Sequence, residues 1–284
     1  MGFITYDIGS YAPKTMVALP IAILILSCAF LALNTVSTGM PVNPGIDYAG
    51  GVAVTVFTSD SSDEIARYFA DYPVVSIGES INDGRYITFE FMDDDTFRAL
   101  TGVITARYPD AKIDQIGETF GKTLQGQALL ALLFSFVGMS AVVFLAFRTF
   151  IPSLAVVLSA FSDIVISAAF MDAFGISLSL GTTAALLMLI GYSVDSDILL
   201  TTRLLKRKGK VNDKLESAFR TGFIMTTTTL TAVIAMLVVS TIAQIVIIRE
   251  IATVLVIGLV VDLMNTWLLN AGLLKWYVTR GGAK

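Results

Sequence analysis

Six long apolar runs constrain the fold of this chain more than any other feature. A bilayer core about 30 Å thick needs roughly 20 mostly apolar residues per crossing helix. Six segments meet that requirement, approximately residues 15–36, 124–147, 151–174, 178–204, 222–242 and 251–278. The mean hydropathy of +0.77 agrees, because a water-soluble domain this apolar would expose large sticky patches. The pattern predicts an α-helical polytopic membrane protein with six transmembrane helices.

The distribution of charge predicts the orientation of these helices. Residues 203–220 carry 7 basic and 2 acidic side chains, and Lys and Arg concentrate in cytoplasmic loops. We therefore predict a basic cytoplasmic loop at 203–220, with both termini on the same side. The cluster lies between two apolar runs, so it does not indicate a nucleic-acid partner. No small-residue cleavage pattern follows the first run, which indicates a retained span and not a removable signal peptide.

The polar stretch between the first two spans has the pattern of a small α+β domain. Residues 39–122 hold 14 acidic and 6 basic side chains, which places them outside the cytoplasm. Alternating apolar positions predict strands, helical spacing predicts helices, and Asn82-Asp83-Gly84 predicts a hairpin turn. The predicted strands are 52–58, 74–81, 85–92 and 111–119, and the predicted helices are 61–72 and 94–108. This βαββαβ order is ferredoxin-like.

The chain therefore divides into three parts. Residues 1–38 form the N-terminus and first span, 39–122 the extracytoplasmic domain, and 123–284 a bundle of five helices. The sequence has no histidine and a single cysteine, Cys28. A Ser-His-Asp triad, a His-ligated metal site and an internal disulfide are thereby excluded. We expect no metal, no cofactor and no covalent catalysis.

Acidic residues inside the apolar runs are the first candidates for function. An ionised Asp at mid-bilayer costs about 2.5–3.5 kcal/mol on insertion scales, so it normally faces the bundle interior or a water path. Asp163 lies deep in the third run, and Asp195, Asp197 and Asp262 lie in the fourth and sixth. Asp195 and Asp197 are two apart and point to different helix faces. Asp172, at a predicted helix end, is expected to meet water.

Arg203 has two interpretations. It follows Asp195 by eight residues, about two helical turns, which puts both on roughly the same face. A lone arginine at a helix end is also a typical snorkelling anchor at the interface. The hydroxyls of residues 226–231 are expected mainly to bond backbone carbonyls one turn earlier, although they could also line a polar seam.

Two motifs resemble a known family. The segment Gly45-Ile46-Asp47-Tyr48-Ala49-Gly50-Gly51 resembles the Gly-x-Asp-[Tyr/Phe]-x-Gly-Gly signature of the SecD/SecF family, which belongs to the RND superfamily. The segment GYSVDSDILLTTR at 191–203 resembles the fourth-span signature of that family. The motif residues in that span are Gly191, Tyr192, Ser193 and Asp197. The resemblance covers essentially the whole chain, and the Asp195-Ser196-Asp197 step is closest to archaeal members.

The resemblance implies a role and partners. It implies a subunit that helps Sec-dependent protein export, driven by the proton motive force, with no covalent catalysis. The implied partners are SecD in a heterodimer, the Sec translocon, the translocating polypeptide and membrane lipids. Carried over by position, Asp163 matches the proton-binding acid and Arg203 the arginine coupled to it, and Asp195 stands at a polar position of the same relay. The glycine motif at 45–51 is either a hinge or a tight turn.

Two other function classes compete with export. A small RND-like exporter of lipids or small molecules should show two duplicated six-span halves or a deep aromatic pocket in its loop. Here there is one set of six apolar runs and one compact loop domain, which favours the export role. An intramembrane hydrolase needs a nucleophile with a base, and none is visible without histidine.

Overall fold

The structure is a computed structural model that describes residues 11–80 and 84–280. Of the predicted turn Asn82-Asp83-Gly84, the first two residues lie outside the described residues. The helices are α1 Pro13–Thr38, α2 Ile46–Ala49, α3 Ser62–Tyr68, α4 Asp94–Arg107, α5 Glu118–Phe147, α6 Phe150–Ala173, α7 Leu180–Lys206, α8 Val211–Ile242, α9 Val246–Met264 and α10 Ala271–Thr279. The strands are β1 Gly51–Val56, β2 Val74–Ser80, β3 Gly84–Phe89 and β4 Lys112–Ile116, and a π-helical segment occupies Asn265–Asn270.

Five helices of the described part are long and apolar enough to cross a membrane: α1, α5, α6, α7 and α8. They confirm five of the six predicted spans, with ends that agree to a few residues except at α5 and α8. The sixth predicted range is helical throughout, as α9, the π-helical segment and α10 in succession. Helix α9 is apolar but carries three charged residues, Arg249, Glu250 and Asp262, within its 19 residues, and the sixth crossing stays a prediction.

The predicted basic loop at 203–220 is wrong in extent. Helix α7 continues to Lys206 and helix α8 begins at Val211, so only residues 207–210 connect the two helices. The reason is the apolar spacing that follows the connection: Leu215 and Phe219 are one turn apart and are buried against Trp267. This amphipathic pattern extends α8 at its N-terminal end although its other face is polar.

The domain between the first two spans is a four-stranded antiparallel sheet with two helices on one face. Its elements follow one another as strand, helix, strand, strand, helix, strand, and the sheet order is β2-β3-β1-β4. The inward residues of β1 and β3, such as Val54 and Ile87, face each other in register. They form one buried core with Phe69, which directly follows α3, and with Leu100 and Ile104 of α4.

A capping box begins helix α3. The hydroxyl of Ser61 accepts from the backbone N–H of Glu64, and the Glu64 carboxylate accepts from the backbone N–H of Ser61 at 2.9 Å. This reciprocal pair satisfies two N–H groups that a helix start leaves without partners. Ser61 is therefore the N-cap of α3.

Short backbone contacts join the domain to the membrane helices. Pro44 and Leu178 form an isolated parallel bridge, and the Gly45 N–H donates to the Leu178 carbonyl at 2.8 Å. Gly121, in the first turn of α5, packs so closely on the Tyr48 carbonyl that an added Cβ would lie 2.8 Å from that oxygen. The sheet domain is therefore seated directly on the ends of α5 and α7.

Within the bundle, α6 and α7 are central. In the most apolar 18-residue stretch of each helix, 61% of the residues of α6 and 56% of those of α7 are buried, against 6% for α5. Leu189 of α7 packs directly against Gly258 of α9, where an added Cβ would lie 2.5 Å from the leucine side chain. Gly222 on α8 receives Trp267 in the same way. These glycines have the close-packing role that their sequence positions indicate.

Candidate intramembrane site

Asp163 lies at the middle of α6 with none of its surface exposed. Its carboxylate accepts two hydrogen bonds from other segments. The Ser193 hydroxyl of α7 donates to Oδ2 at 2.5 Å, and Nδ2 of Asn265 donates to Oδ1 at 2.7 Å. The predicted interior position of Asp163 is confirmed, and Ser193 of the fourth-span motif is one of its partners.

Asp197 is equally buried. Its Oδ1 accepts from the Thr266 hydroxyl at 2.9 Å and from Nδ2 of Asn270 at 2.7 Å. The Thr266 hydroxyl also lies 3.1 Å from Oδ1 of Asp262, which is 1% exposed. Thr266 therefore bridges two carboxyl groups that come from different helices. We call Asp163, Asp197 and Asp262 the carboxyl cluster.

The π-helical segment Asn265–Asn270 presents its polar side chains to this cluster. In a π-helix hydrogen bonds run from residue i to i+5, so residues five apart share a side. Asn265 and Asn270 are five apart, and each donates to a different aspartate. Such segments occur mostly inside α-helices at functional sites. The local change of helical pitch supplies donors to two carboxyl groups at once.

The cluster has hydroxyl and amide partners but no basic one. Among the described residues, neither the hydrogen bonds nor the ion pairs join a Lys or Arg to Asp163, Asp197 or Asp262. Ionised carboxylates without a cationic partner are costly in a dry interior. The described part also holds no group of three or more His, Cys, Asp or Glu spaced for a metal ion. Binding and releasing protons is the chemistry that this arrangement best allows.

Arg203 is not brought to Asp163. Its Nη1 donates to the carbonyl and to the hydroxyl of Ser217, the latter at 2.8 Å. Arg207 donates to the same hydroxyl at 3.1 Å. Both arginines therefore tie the C-terminal end of α7 to the start of α8, an arrangement close to the interfacial anchor that the sequence leaves open for Arg203.

Asp195 points away from the carboxyl cluster. It is exposed, as are Gly191 and Tyr192, whereas Ser193 and Asp197 are buried. The prediction that Asp195 and Asp197 lie on different faces is thereby confirmed. The fourth-span motif is split between an inner face, which carries the cluster and its donor, and an outer face that no described residue covers.

The glycine motif at 45–51 binds the start of α7. The Asp47 carboxylate accepts from the backbone N–H of Leu180 at 2.9 Å, at the end where a helix favours negative charge. The Tyr48 hydroxyl contacts the Thr183 hydroxyl at 2.7 Å. Burial of the Tyr48 ring raises the pKa of its hydroxyl, and the nearby Asp47 charge acts in the same direction. Motif residues 46–49 form the short helix α2, which the sequence analysis did not predict.

The two glycines that end the motif occupy backbone positions that side chains rarely adopt. Gly50 has φ +80 and Gly51 has φ +143. A Cβ on Gly51 would lie 2.5 Å from the Phe89 carbonyl oxygen, and one on Gly50 would lie 2.9 Å from Cα of Glu118. The motif is thus a tightly packed turn between α2 and β1 in this conformation.

Several other polar residues make only structural hydrogen bonds, at a helix end or within their own helix. Asp172 accepts from Nδ2 of Asn34 at 3.0 Å and from the backbone N–H of Asn43 at 2.9 Å, at the end of α6. Thr227 and Thr231 donate to carbonyls four residues earlier. Thr226 is the exception, because its hydroxyl contacts Ser196 of α7 at 3.3 Å.

Sequence reasoning noted Asp262 but did not place it at a site, and it missed Asn265, Thr266 and Asn270. The sequence does contain a signal for these residues. Asp262, Thr266 and Asn270 are spaced four apart in a mostly apolar run, which puts these polar groups on one helical face. Such a face inside a predicted span indicates an interior polar site.

Comparison with known proteins identifies the family. The family model of the protein export membrane protein SecD/SecF, C-terminal, matches residues 98–280. The protein-export membrane protein SecF of Methanolacinia petrolearia is 69% identical over 99% of this chain and 100% of its own length. That of Haloferax volcanii is 45% identical over 97% of this chain and 96% of its own length.

Solved structures agree in fold. The crystal structure of SecDF, a translocon-associated membrane protein from Thermus thermophilus, superposes with a TM-score of 0.74 at 21% identity. The match covers 96% of this chain and 39% of that longer chain. With five apolar helices of spanning length in the described part, this chain is a multi-pass membrane protein. It belongs to the SecD/SecF family of protein-export membrane proteins.

Proposed function

We propose that this chain assists Sec-dependent protein export across the cytoplasmic membrane, in a heterodimer with SecD, and that the proton motive force drives it. The relatives of highest identity reported above are named for protein export. The observation that carries the proposal is mechanical: a single helix, α7, bonds both the buried Asp163 and the extracytoplasmic domain. Ser193 makes the first contact and Thr183 the second. The two are ten residues apart, about 15 Å along the helix axis.

The proposed topology has six spans, with α9, the π-helical segment and α10 forming the sixth. The basic connection at 207–210 and the tail then lie in the cytoplasm, and residues 39–122 lie outside, as the charge distribution favours. The strand order β2-β3-β1-β4 and the element order support a ferredoxin-like domain. The resulting layout, one span, a domain and five further spans, is that of an RND-type half.

In the proposed mechanism Asp163 is the proton-binding group. When it is ionised, Ser193 and Asn265 donate to it; when it gains a proton, the charge that orders these donors is lost. Helix α7 is then free to shift relative to α6, and Thr183 transmits the shift to Tyr48 at the base of the domain. The turn at 45–51 is the proposed hinge, and movement there would swing the domain that meets the translocating polypeptide and the Sec translocon.

The energy of one proton suffices for such a shift. An elementary charge that crosses 100 mV releases about 2.3 kcal/mol, which biases a two-state equilibrium roughly fiftyfold. Arg203 lies six residues beyond Asp197, about 9 Å along α7. We place it at the cytoplasmic end of the relay, where its bonds to Ser217 couple α7 to α8.

The outer face of α7 is the proposed surface for SecD. Its exposed residues recur every three or four positions: Ala184, Met188, Gly191, Tyr192 and Asp195. Asp195 lies about 22 Å from the Leu180 end of the helix, too deep for contact with water at that interface. A carboxylate at this depth needs a polar partner in place of lipid, and small residues beside it allow close approach of another helix. We place a SecD helix with a hydrogen-bond donor against Asp195, and membrane lipids on the exposed sides of α5.

Two measurements test the proposal. In cells that lack their own copy of this gene, the wild-type chain should restore the export rate of a secreted reporter. Unchanged export with and without the chain would contradict the function. For the partner, cysteines introduced at Met188 and, as a control, at Leu133 on the exposed side of α5 are cross-linked in membranes. We expect SecD to be captured at position 188 and not at 133, and the reverse pattern would contradict the assigned face.

A further inference from the structure

The contacts of Thr266 cannot all be hydrogen bonds while the cluster is fully ionised. The hydroxyl oxygen lies 2.9 Å from Oδ1 of Asp197 and 3.1 Å from Oδ1 of Asp262. A threonine hydroxyl has one hydrogen to donate, and an ionised carboxylate only accepts. With both carboxylates ionised, one of the two contacts would bring lone pairs together with no hydrogen between them. A proton on either carboxyl group supplies the missing hydrogen.

Other buried polar atoms beside Asp197 also lack hydrogen-bond partners. Oδ2 of Asp197 and Oδ1 of Asn270 are buried and have no hydrogen-bond partner. The two groups are already joined, because Nδ2 of Asn270 donates to the other oxygen of Asp197 at 2.7 Å. The buried Ser159 hydroxyl, which faces Asp197, also has no partner and is the donor available to Oδ2. Oδ1 of Asp197 is therefore the oxygen that meets Thr266, and the buried Asn270 oxygen stays without a donor beside the pair.

Within residues 11–80 and 84–280, no hydrogen bond or ion pair joins a basic side chain to Asp197 or Asp262. Of the elements packed around the pair, α6 carries Asp163 and, at its far end, Asp172, and the α5 and α8 stretches 124–147 and 221–242 have no charged residue. Helix α1 carries only Lys14, near its start. On α10, Lys275 donates to the Tyr11 carbonyl at 2.8 Å, and on α7 Arg203 donates to Ser217. The remaining charges of α9, Arg249 and Glu250, lie three turns from Asp262.

We propose that Asp197 and Asp262 share one proton through the Thr266 hydroxyl, as a proton-binding station separate from Asp163. The carboxylic acid on one side donates to the Thr266 oxygen, and the Thr266 hydrogen donates to the carboxylate on the other side. Exchange is balanced: the carboxylic O–H bond breaks as a new O–H forms on Thr266, and the former hydroxyl hydrogen passes to the second carboxylate. No electrons leave or enter the site.

The Asp197–Asp262 pair lies next to Asp163, the proposed proton-binding group of the mechanism. Ser193, which donates to Asp163, also faces Asp262, so a proton held by the pair lies next to the proposed coupling group. This use of the station in transport rests on the proposed function. The presence of the shared proton does not, because it follows from the atoms around Thr266.

Infrared difference spectroscopy of the full chain in lipid vesicles tests the proposal by recording the carboxylic-acid C=O band as the pH is raised. We expect Asp197→Asn and Asp262→Asn each to remove the same component of that band. Thr266→Val, which keeps the shape but has no hydroxyl, should shift the component, and Thr266→Ser should leave it in place. Asp172→Asn, which alters a hydrogen-bonded aspartate outside the cluster, is the matched control and should change nothing.

Three results would overturn the proposal. The component could persist in both asparagine variants, or it could disappear in only one of them, which would assign the proton to a single carboxyl. It could also be lost from the wild-type chain on addition of sodium ions at constant pH, which would indicate a cation site in place of a proton site. Reporter export measured in parallel separates the two proposals: a shared proton together with export independent of the chain would refute the transport role alone.

Discussion

Nδ2 of Asn265 donates to Oδ1 of Asp163 at 2.7 Å and so joins the π-helical segment to the centre of α6. The two residues are 102 positions apart in sequence, and both are fully buried. A hydrogen bond to a buried carboxylate stabilises more than one between neutral groups. This contact therefore fixes the π-helical segment against the proposed proton-binding group.

Loss of the Asn265 amide should destabilise the bundle. Asn265→Leu keeps a similar volume but leaves the buried carboxylate with one donor fewer, and we expect a loss of about 1.5–3 kcal/mol in the free energy of unfolding. Unfolding in mixed micelles measures it. Thr228→Val, which removes an exposed hydroxyl bonded only within its own helix, is the control and should differ little from wild type. Equal stability of the two variants would argue against a supporting role for Asn265.

The Tyr48–Thr183 contact should couple the domain to α7. Tyr48→Phe and Thr183→Val each remove one of the two hydroxyls that meet at 2.7 Å. A double-mutant cycle on domain unfolding should give an interaction energy of about 0.5–1.5 kcal/mol. We also expect each single variant to slow export of the reporter. Additive effects in the cycle would mean that this contact does not join the two parts.

Gly51 should not tolerate a side chain. Gly51→Ala places a methyl group 2.5 Å from the Phe89 carbonyl oxygen at φ +143, and backbone strain of this kind costs on the order of 1–3 kcal/mol. Gly102→Ala is the matched control, because Gly102 lies within α4 with open space around it. That change should instead stabilise by roughly 0.5–1 kcal/mol. Hydrogen exchange of the domain distinguishes the two, and the same sign for both would contradict the account.

Asp60 should make the domain sensitive to acid. Its Oδ2 accepts from Nη2 of Arg107 at 2.8 Å and from the Tyr108 hydroxyl at 2.7 Å. Both bonds lower the pKa of Asp60, and the bond from Arg107 has the larger effect. A pKa that is lower in the folded state contributes stability above the unfolded value of about 3.9, and that stability is lost as the pH falls through the folded pKa.

Asp60→Asn should therefore reduce domain stability near neutral pH and flatten its decline below about pH 4. Hydrogen-exchange mass spectrometry of the full chain across this range measures the effect. Asp71→Asn, at an exposed carboxylate away from the Arg107 pair, should keep the acid-dependent decline of the wild-type chain. A steep decline that persists in Asp60→Asn would assign the acid sensitivity to another group.

Hydrophobic periodicity predicted most of the fold. Long apolar runs define spans, and alternation in the loop defines strands, because both patterns follow from burial of one surface. The end of a span is harder to predict. The amphipathic stretch that carries Leu215 and Phe219 extends α8 beyond the apolar window, since packing on Trp267 stabilises it although its composition is polar. Helix α2 is only four residues long, and packing against α5 together with its bonds to α7 holds it in place.

The site was predictable only in part. Asp163 stands out because a charge deep in an apolar run has few explanations. Its partners Ser193 and Asn265 come from two other segments, and sequence spacing does not show which faces of separate helices meet. Arg203 illustrates the same limit: its spacing from Asp195 allowed a relay, whereas Ser217, fourteen residues further on, is the group it contacts.

The most direct test of the central claim is the export rate of a secreted reporter in cells carrying Asp163→Asn, with SecD and the membrane potential intact and chain levels checked. Asparagine keeps the shape of the side chain and cannot bind and release the proton. Asp172→Asn, expressed to the same level, is the control. We expect a strong export defect for Asp163→Asn alone. Normal export in that variant would contradict the assignment of Asp163 as the proton-binding group.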